Sequence, residues 1–330
     1  MLYEMSFKNK NVLITGGLGF IGSNLAIKLV ELGAKVTLID SMIPEYGGNL
    51  ENIAVIKEKI TLNFSDVRDD YSFKFLIKNQ DYLFNLAGQT SHLDSMTNPF
   101  QDLEINAKSQ LSILEACRKH NPNVKIVFAS TRQLYGKPQY LPVDESHPII
   151  PVDVNGINKM AGESYHLLYN AVYGINTTVL RLTNTYGPRL RVKDARQTFL
   201  GIWIRKCMEN QPFLIYGDGK QLRDYNFVDD VVDAFLLAAT SQKSQGQIYN
   251  LGDSNPISLN ETAAILVEEN KGGTYTHIPF PQDRKNIDIG DFYGDFKKIH
   301  DHLGWYPKVN FRKGISETLA YYRSNIQAYI

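Results

Sequence analysis

The sequence predicts an α/β protein with a doubly wound parallel sheet and a smaller C-terminal lobe. Two observations carry this prediction. Short β-branched segments alternate with amphipathic segments through the first half of the chain, and a glycine-rich turn joins the first strand to the first helix. Such alternation is typical of parallel strands connected by crossover helices, which cover the sheet on both faces.

Hydrophobic periodicity defines the elements of the first half. The predicted strands are Asn11–Thr15, Lys35–Asp40, Ile60–Phe64, Tyr82–Leu86, Val124–Ser130 and Thr177–Leu182. The predicted helices are Ile21–Leu32, Phe100–His120 and Asn155–Tyr173. The last two helices are long enough to carry a subunit interface, so we expect a homodimer.

A glycine-rich segment indicates the first ligand. Gly16, Gly19 and Gly22 follow the first strand and open the first helix, and Asp40 ends the second strand. Glycines let the backbone approach a pyrophosphate, the helix N-terminus supplies free N–H groups, and the carboxylate accepts hydrogen bonds from ribose hydroxyls. Because no Arg or Lys lies beside Asp40 to hold a 2′-phosphate, the sequence predicts NAD rather than NADP on a Rossmann-type fold.

The alternation of strands and helices ends after about Thr183. Loops with Pro, Gly and basic residues are followed by a helix at Gln197–Asn210, a strand-like turn at 212–220 and a helix at Asp229–Thr240. We therefore predict an NAD-binding domain at 1–183, completed by part of 223–255. Residues 184–330 are then mainly a substrate-binding lobe.

Composition excludes several other classes of function. Lys+Arg and Asp+Glu both number 35, so no basic field attracts nucleic acid or an anionic membrane. No apolar run is long enough to span a bilayer, and the charged start resembles neither a signal peptide nor an anchor. Cys117 and Cys207 are widely spaced in helical segments, which favours reduced core thiols over a disulfide or a metal site. We expect a cytoplasmic protein that acts on small molecules.

The segment Thr15–Gly22, with Phe20 and Ile21, fits the pattern TGGxGFIG. Through this and further motifs over nearly the whole chain, the sequence resembles the extended short-chain dehydrogenase/reductase family, in its nucleotide-sugar epimerase and dehydratase branch. The segments FSDVRD, NLAGQTSHLDS and EINAKSQLSILEAC resemble stretches that contact the cofactor. The resemblance implies that these contacts come from Asp66, Val67, Leu86, Ala87, Gly88, Gln89 and Asn106.

The resemblance also locates the reaction site. The segment FASTRQLYG supplies Ser130 and Thr131, whose hydroxyls are expected to bond a sugar oxygen, and VDVNGINKMAGE supplies Lys159, which in the family binds the nicotinamide ribose. The usual catalytic Tyr, four residues before that Lys, is Asn155 here. An amide has no usable pKa in water, so Asn155 can orient a group but cannot act as the base.

General acid–base catalysis is worth about 10²–10⁴-fold, so loss of the Tyr either slows the enzyme strongly or requires a substitute. The candidate substitutes are Lys159, Thr131, Asp153, Tyr135 and His92, directly or through an ordered water. Structural roles are open for three of them: a cofactor-side hydrogen bond for His92, a helix N-terminal acid for Asp153 and a packed aromatic for Tyr135.

Three later segments resemble the family's nucleotide-sugar site. LRLTNTYGPRLR supplies Asn184, YGDGKQLRDYNFVDDVV supplies Arg223 and PQDRKNIDIGD supplies Arg284. The resemblance implies that all three bind the diphosphate, and the planar fork of Arg suits that task. Arg191 is a further candidate for substrate binding, although a solvated loop Arg is the alternative.

Together these residues and motifs predict an NAD-dependent nucleotide-sugar epimerase that oxidises a sugar carbon, expected to be C4, and returns the hydride to the other face. The family's 4,6-dehydratases carry Asp-Glu after the Ser/Thr and its decarboxylases a Glu, whereas this chain has Arg132 and Gln133. Both reactions are therefore disfavoured. The alternatives are a dehydrogenase that releases a ketosugar, a dehydratase with unusual acid–base groups, and an NAD-loaded binding protein without catalysis.

Overall fold

The computed structural model describes residues 3–330 and places seven parallel strands in one sheet. In chain order, the strands of the protein are β1 (Asn11–Thr15), β2 (Lys35–Ile39), β3 (Ile60–Asn63), β4 (Tyr82–Asn85), β5 (Lys125–Thr131), β6 (Thr177–Leu182), β7 (Asn184–Tyr186), β8 (Pro212–Tyr216), β9 (Leu222–Arg223), β10 (Tyr225–Phe227), β11 (Ile248–Asn250), β12 (Ile257–Ser258) and β13 (Thr274–Ile278). The large sheet has the order β11-β6-β5-β4-β1-β2-β3. The predicted doubly wound α/β fold is confirmed.

The helices lie between these strands. They are α1 (Phe20–Glu31), α2 (Asp70–Leu76), α3 (His92–Thr97), α4 (Pro99–Leu103), α5 (Ser109–His120), α6 (Val154–Tyr173), α7 (Phe199–Met208), α8 (Val228–Thr240), α9 (Leu259–Asn270), α10 (Gln282–Lys285), α11 (Lys297–Leu303) and α12 (Phe311–Asn325). The chain passes from β1 outward to β3 and returns to the other side of β1 with β4. Ligands of open α/β sheets bind at such a reversal, beyond the carboxyl ends of the strands.

One predicted helix is interrupted. The segment predicted as a single helix over 100–120 consists of α4, a π-helical turn at Glu104–Lys108, and α5. Periodicity did not reveal the turn because one extra residue per turn shifts the pattern only slightly. π-turns inside α-helices occur frequently at functional sites, and this one carries Asn106.

Apolar clusters cover the sheet and fill the C-terminal lobe. Val12, Leu25 and Phe235 belong to one cluster on the sheet, and Leu13 and Ile113 to another, as expected when strands alternate their side chains between two faces. A third cluster in the C-terminal lobe includes Trp203, Phe213, Leu266 and Leu319. There β8 pairs with β13, and β9 with β12.

The helices and the two cysteines agree with what the composition predicts. Within 3–330, no helix combines the length and apolar character that a membrane span requires. Cys117 and Cys207 are both free and buried, and burial raises the pKa of each thiol. Both therefore lie in the interior as neutral thiols, as predicted.

Candidate active site

One cavity of about 860 Å³ lies beyond the carboxyl ends of the central strands. Its lining combines the glycine turn, the ends of β2, β4 and β5, the start of α6 and loops of the C-terminal lobe. The lining includes these residues predicted from the sequence: Gly16, Gly19, Phe20, Ile21, Gly22, Asp40, Asp66, Val67, Leu86, Ala87, Gly88, Gln89, Ser130, Thr131, Asn155, Lys159, Asn184, Arg223 and Arg284. Asn106 and Arg191 lie outside it.

The glycine turn is shaped by close backbone contacts. Gly16 has a φ of +68°, which side chains rarely adopt, and a Cβ on Gly22 would lie 2.2 Å from the Gly16 carbonyl oxygen. A Cβ on Gly19 would lie 3.2 Å from the same oxygen. Gly19 begins α1 without a side-chain cap, which leaves the first-turn N–H groups for a ligand. These features fit a dinucleotide.

Asp40 is held in place at the end of β2. Its Oδ2 accepts a hydrogen bond from the Leu18 N–H at 3.0 Å, and its Oδ1 accepts one from the Met42 N–H at 2.9 Å. Burial raises the pKa of this carboxyl, and the two backbone bonds oppose that shift. The carboxylate is therefore positioned before any ribose arrives.

Asp66 and Val67 line the cavity near the end of β3. Asp66 forms an ion pair with Arg68, whose Nη2 lies 2.7 Å from Oδ2, and hydrogen bonding from Arg68 lowers the pKa of the carboxyl. Val67 is buried. The loop is thus rigid at the position where the family resemblance implies an adenine contact.

Ser130 and Thr131 end β5 and differ in orientation. The Ser130 hydroxyl donates to Glu163 Oε2 at 2.8 Å, and Glu163 is in turn paired with Arg181. The Ser130 proton is therefore used in a buried network, and only the lone pairs of its oxygen are available to a sugar hydroxyl, so the predicted sugar bond stays a prediction. Thr131 Oγ1 accepts from the Gln133 N–H at 3.2 Å and retains its own proton for a ligand.

Asn155 is enclosed by acceptors. Its Nδ2 donates to the Gln89 carbonyl at 2.8 Å and to Asp102 Oδ2 at 3.0 Å. Asp102 is fully buried and also accepts from Asn106 and Asn158, at 3.0 and 2.7 Å. Three asparagine amides thus satisfy one buried carboxylate. Since every partner of Nδ2 is an acceptor, the amide orientation is fixed, and its N–H groups serve the protein.

Lys159 lies under the cofactor side of the cavity. It is 6% exposed, its Nζ donates to the Ala129 carbonyl at 3.2 Å, and a Cβ on Gly88 would lie 2.8 Å from Nζ. Burial lowers the pKa of the ammonium to about 8, with the negative charge of Asp102 opposing the shift. Lys159 therefore combines access to the cavity with a pKa near neutrality.

Asn106 supports the cavity wall from behind. Its Nδ2 donates to the Gln89 carbonyl at 2.9 Å, and a Cβ on Gly88 would lie 3.0 Å from its Oδ1. Asn106 is fully buried outside the cavity lining, and its predicted direct cofactor contact stays a prediction. The amide holds the turn at Gly88 and Gln89.

The three other candidate bases differ in their access to the cavity. Tyr135 is fully buried, donates to Asn250 at 2.7 Å and lies outside the cavity lining, and burial raises its pKa to about 12. Asp153 caps α6 through a 2.7 Å bond from the Gly156 N–H and is buried as well. His92 lines the cavity, with its Nδ1 2.9 Å from Asp153 Oδ2.

The opposite part of the cavity is rich in guanidinium groups. Arg223 Nη1 donates to the Leu222 and Gly290 carbonyls, and Arg284 lies over the Tyr216 ring at 5.4 Å. Arg132 also lines the cavity. Its Nη2 donates to Asn184 Oδ1 at 3.2 Å, whereas its buried Nη1 has no hydrogen-bond partner among residues 3–330.

Arg132 is a basic group that the motif comparison did not assign to binding. Burial and the neighbouring Arg223 lower its pKa to about 10, which leaves it charged at neutral pH. A half-buried cation with an unused donor beside a second cation is stabilised by an anion. This end of the cavity is therefore suited to a diphosphate.

Arg191 binds protein groups instead of the cavity. Its guanidinium pairs with Asp194, and its Nη1 donates to the Pro44 carbonyl at 2.9 Å. Arg191 itself lies outside the lining and its guanidinium is used by Asp194 and Pro44, so its predicted substrate contact stays a prediction. Arg196, five residues later, lines the cavity and pairs with Asp94 at 3.0 Å.

The profile of the NAD dependent epimerase/dehydratase family matches residues 12–252. This chain belongs to that family. A Methanocaldococcus jannaschii protein with the provisional name UDP-glucose 4-epimerase is 36% identical, over 95% of this chain and 99% of its own length. A dTDP-glucose 4,6-dehydratase of Actinoplanes sp. is 29% identical, over 95% and 98%.

A solved structure leads to the same family. The UDP-glucose 4-epimerase of Thermotoga maritima, determined with UDP-glucose, superimposes with a TM-score of 0.87 and 30% identity, over 96% of this chain and 99% of that one. Members of the family use NAD, and the glycine turn and Asp40 give this chain the features that NAD requires. The prediction of NAD as cofactor is confirmed.

The sequence reading missed Asp102, which organises the reaction side of the cavity. The available signal was an Asp four residues before Asn106, a spacing that places both residues on one face of a helix. Its partners Asn155 and Asn158 lie more than fifty residues away, and no local pattern links them.

Proposed function

We propose that this protein is an NAD-dependent nucleotide-sugar 4-epimerase. The observation that carries the proposal is the shared lining of one cavity: the glycine turn, Thr131 with Lys159, and the cationic group of Arg132, Arg223 and Arg284 all face it. A bound nucleotide sugar whose diphosphate meets the arginines can then present its sugar to Thr131 and the cofactor. Two of the relatives described above carry the name UDP-glucose 4-epimerase, which supports C4 as the reacting carbon.

The residues of the chain divide the work. Gly16, Gly19 and the first turn of α1 receive the pyrophosphate, and Asp40 receives the adenosine ribose. NAD held by these residues would supply reversible hydride transfer with the sugar carbon. Thr131 donates a hydrogen bond to the reacting oxygen, and Lys159 provides a positive potential that stabilises negative charge on that oxygen.

The residues after Thr131 argue against dehydration. Arg132 replaces an acid with a cation, and the Gln133 side chain donates to Asp153 at 2.8 Å. Neither supplies the carboxyl pair that elimination of water uses in the family. The ketosugar formed by oxidation is therefore expected to be reduced again.

The direct test is turnover of UDP-, GDP-, CDP- and dTDP-sugars by purified protein. A thermal-shift panel first selects the ligands, because binding to the native state raises apparent stability. We expect a C4 isomer, identified by NMR, without accumulation of NADH at 340 nm. Stoichiometric NADH would support the dehydrogenase, a dehydrated product would support the dehydratase, and tight binding without product would support the binding protein.

We further propose that the protein forms a homodimer through α5 and α6. Exposed apolar side chains on these helices support this: Leu111, Ile157, Leu168, Val172 and Tyr173. Exposed apolar side chains of this kind are buried at the subunit interface in many oligomers. Light scattering should give twice the 37.4 kDa chain mass, and Leu168→Glu should shift it towards the monomer.

A further inference from the structure

The reaction requires a group that exchanges a proton with the sugar hydroxyl, and Asn155 cannot be that group. Its N–H groups are bonded to Gln89 and Asp102, and an amide has no usable pKa. Tyr135 is buried outside the cavity. The question is which titratable group near α6 remains available.

His92 is placed beside the missing Tyr position by contacts between three segments. Its Nδ1 lies 2.9 Å from Asp153 Oδ2, two residues before Asn155. On the same short helix, the Ser95 hydroxyl accepts from the Asn155 N–H at 3.2 Å. Gln133, two residues after Thr131, donates to the same Asp153 oxygen at 2.8 Å. The imidazole is thus fixed between the end of β5 and the start of α6.

Asp153 is a buried anion directed at the imidazole. Its side chain is 0% exposed and accepts from Gly156 and Gln133 as well. Burial by itself raises the pKa of this carboxyl, but interaction with His92 and the other donors outweighs burial, and the net pKa is lowered. The carboxylate oxygen lies 2.9 Å from Nδ1 as an ion-pair contact that lacks the alignment of an N–H···O hydrogen bond, and its charge stabilises a protonated ring.

The ring has one enclosed and one open side. Nδ1 is inaccessible to solvent and meets Asp153 by charge and proximity without an aligned hydrogen bond, whereas the side chain as a whole is 39% exposed and lines the cavity. Nε2 makes no hydrogen bond with any residue in 3–330. This is the arrangement of a base beside a buried carboxylate, whose charge stabilises the cationic form of the ring.

We propose that His92, oriented by Asp153, replaces the usual Tyr as the acid–base residue of the epimerase. The inference rests on the function proposed above. As the C4–H bond gives its hydride to the cofactor, the hydroxyl proton passes to His92 Nε2 and the C4 carbonyl forms. When the hydride returns to the other face, the imidazolium gives the proton back to the oxygen. Protons and electrons balance over each cycle.

Other charged groups around His92 have different partners. On α3, Asp94 pairs with Arg196, and across the site the Lys159 ammonium donates to the Ala129 carbonyl. Lys159 therefore lies against the end of β5 and close to Gly88, where its charge supports the reaction. The proton transfer itself is assigned to His92.

The first test uses His92→Ala, His92→Gln and the control His120→Ala, an exposed histidine outside the cavity lining. We expect kcat to fall at least about 10²-fold in both His92 variants, with melting temperature, NAD content and nucleotide-sugar affinity retained. Added imidazole should restore kcat at least tenfold in His92→Ala and not in His92→Gln, whose side chain fills the space. The control should behave as wild type.

The outcomes separate this inference from the proposed function. If wild-type protein epimerises and His92→Ala keeps kcat within threefold, or folds and binds both ligands but is not rescued by imidazole, the assignment of His92 is wrong and the function stands. If wild-type protein converts no nucleotide sugar, the proposed function fails and His92 has no such role.

The second test examines Asp153 as a positioning residue. Asp153→Asn retains a good helix cap but cannot stabilise an imidazolium, so kcat should fall about 10-fold or more with KM nearly unchanged. Asp69→Asn is the matched control, because Asp69 caps α2 in the same way outside the cavity. Equal kcat values for the two variants would overturn the pairing of Asp153 with His92.

Discussion

The glycine turn and the start of α6 face the same cavity but are built by different means. The turn depends on the absence of side chains, with Gly22 packed against the Gly16 carbonyl. The start of α6 depends on buried polar side chains, with Asn155, Asn158 and Asp102 bonded to one another. The first region is so closely packed that it has no room for an added side-chain atom. The second is a hydrogen-bond network, in which substitutions can distinguish residues that take part in the reaction from residues that only hold the network together.

The largest effect is expected from Gly22→Ala. The new Cβ would lie 2.2 Å from the Gly16 oxygen, which is backbone and cannot move aside cheaply. We expect no measurable NAD binding by calorimetry and a lower melting temperature. Gly19→Ala, with a 3.2 Å approach to the same oxygen, should fold nearly normally and lose mainly NAD affinity. Similar melting temperatures for the two variants would contradict this steric account.

A loss of at least about 10²-fold in turnover is expected from Lys159→Ala, since a full charge beside the cofactor is removed. Steady-state rates, with NAD occupancy checked by absorbance, measure it. A loss below tenfold in a loaded, folded variant would show that the charge is dispensable.

The same lysine gives a stability effect of opposite sign. Its pKa falls from 10.5 to about 8 on folding, so below pH 8 both states carry the charge and the burial cost is fully present. Cofactor-free Lys159→Met should therefore be more stable than wild type at pH 7, by up to about 3 kcal/mol. Its advantage should shrink between pH 8 and 10.5, where the unfolded wild type binds more protons. Chemical denaturation at several pH values tests the sign.

A smaller effect is expected from Arg223→Ala, which removes a charged donor from the diphosphate end. Nucleotide-sugar affinity should weaken by about 1.5–3 kcal/mol, the range for hydrogen bonds to charged groups, while NAD affinity stays nearly unchanged. The affinity of Arg223→Lys should lie between those of wild type and Arg223→Ala, because lysine keeps the charge but lacks the planar fork of the guanidinium. If calorimetry shows NAD affinity falling equally, Arg223 belongs to the cofactor site or to the fold.

The smallest effect on turnover is expected from Asn155→Ala, a loss of only about three- to tenfold, because a neutral hydrogen bond is worth roughly 0.5–1.5 kcal/mol. Asn158→Ala is the matched comparison, since it also removes one donor from Asp102 and does not line the cavity. Both should lower stability similarly in denaturant unfolding. If Asn155→Ala is as inactive as Lys159→Ala while folded and loaded, Asn155 positions substrate far more strictly than we propose.

The sequence by itself determined the doubly wound fold, the glycine turn and Asp40, because these depend on local periodicity and on short-range backbone geometry. Through the family resemblance it predicted Asn155 at the position of the usual Tyr and raised His92 as one of five candidate substitutes. Only the tertiary structure distinguished these candidates, because it buries Tyr135 outside the cavity and places His92 in the lining beside Asp153. It also showed that the Ser130 hydroxyl donates to Glu163. The physical reason is that the partners of a buried polar side chain come from distant segments, as with His92 and Asp153 or Asp102 and Asn155. Their approach is set by the packing of whole helices and strands.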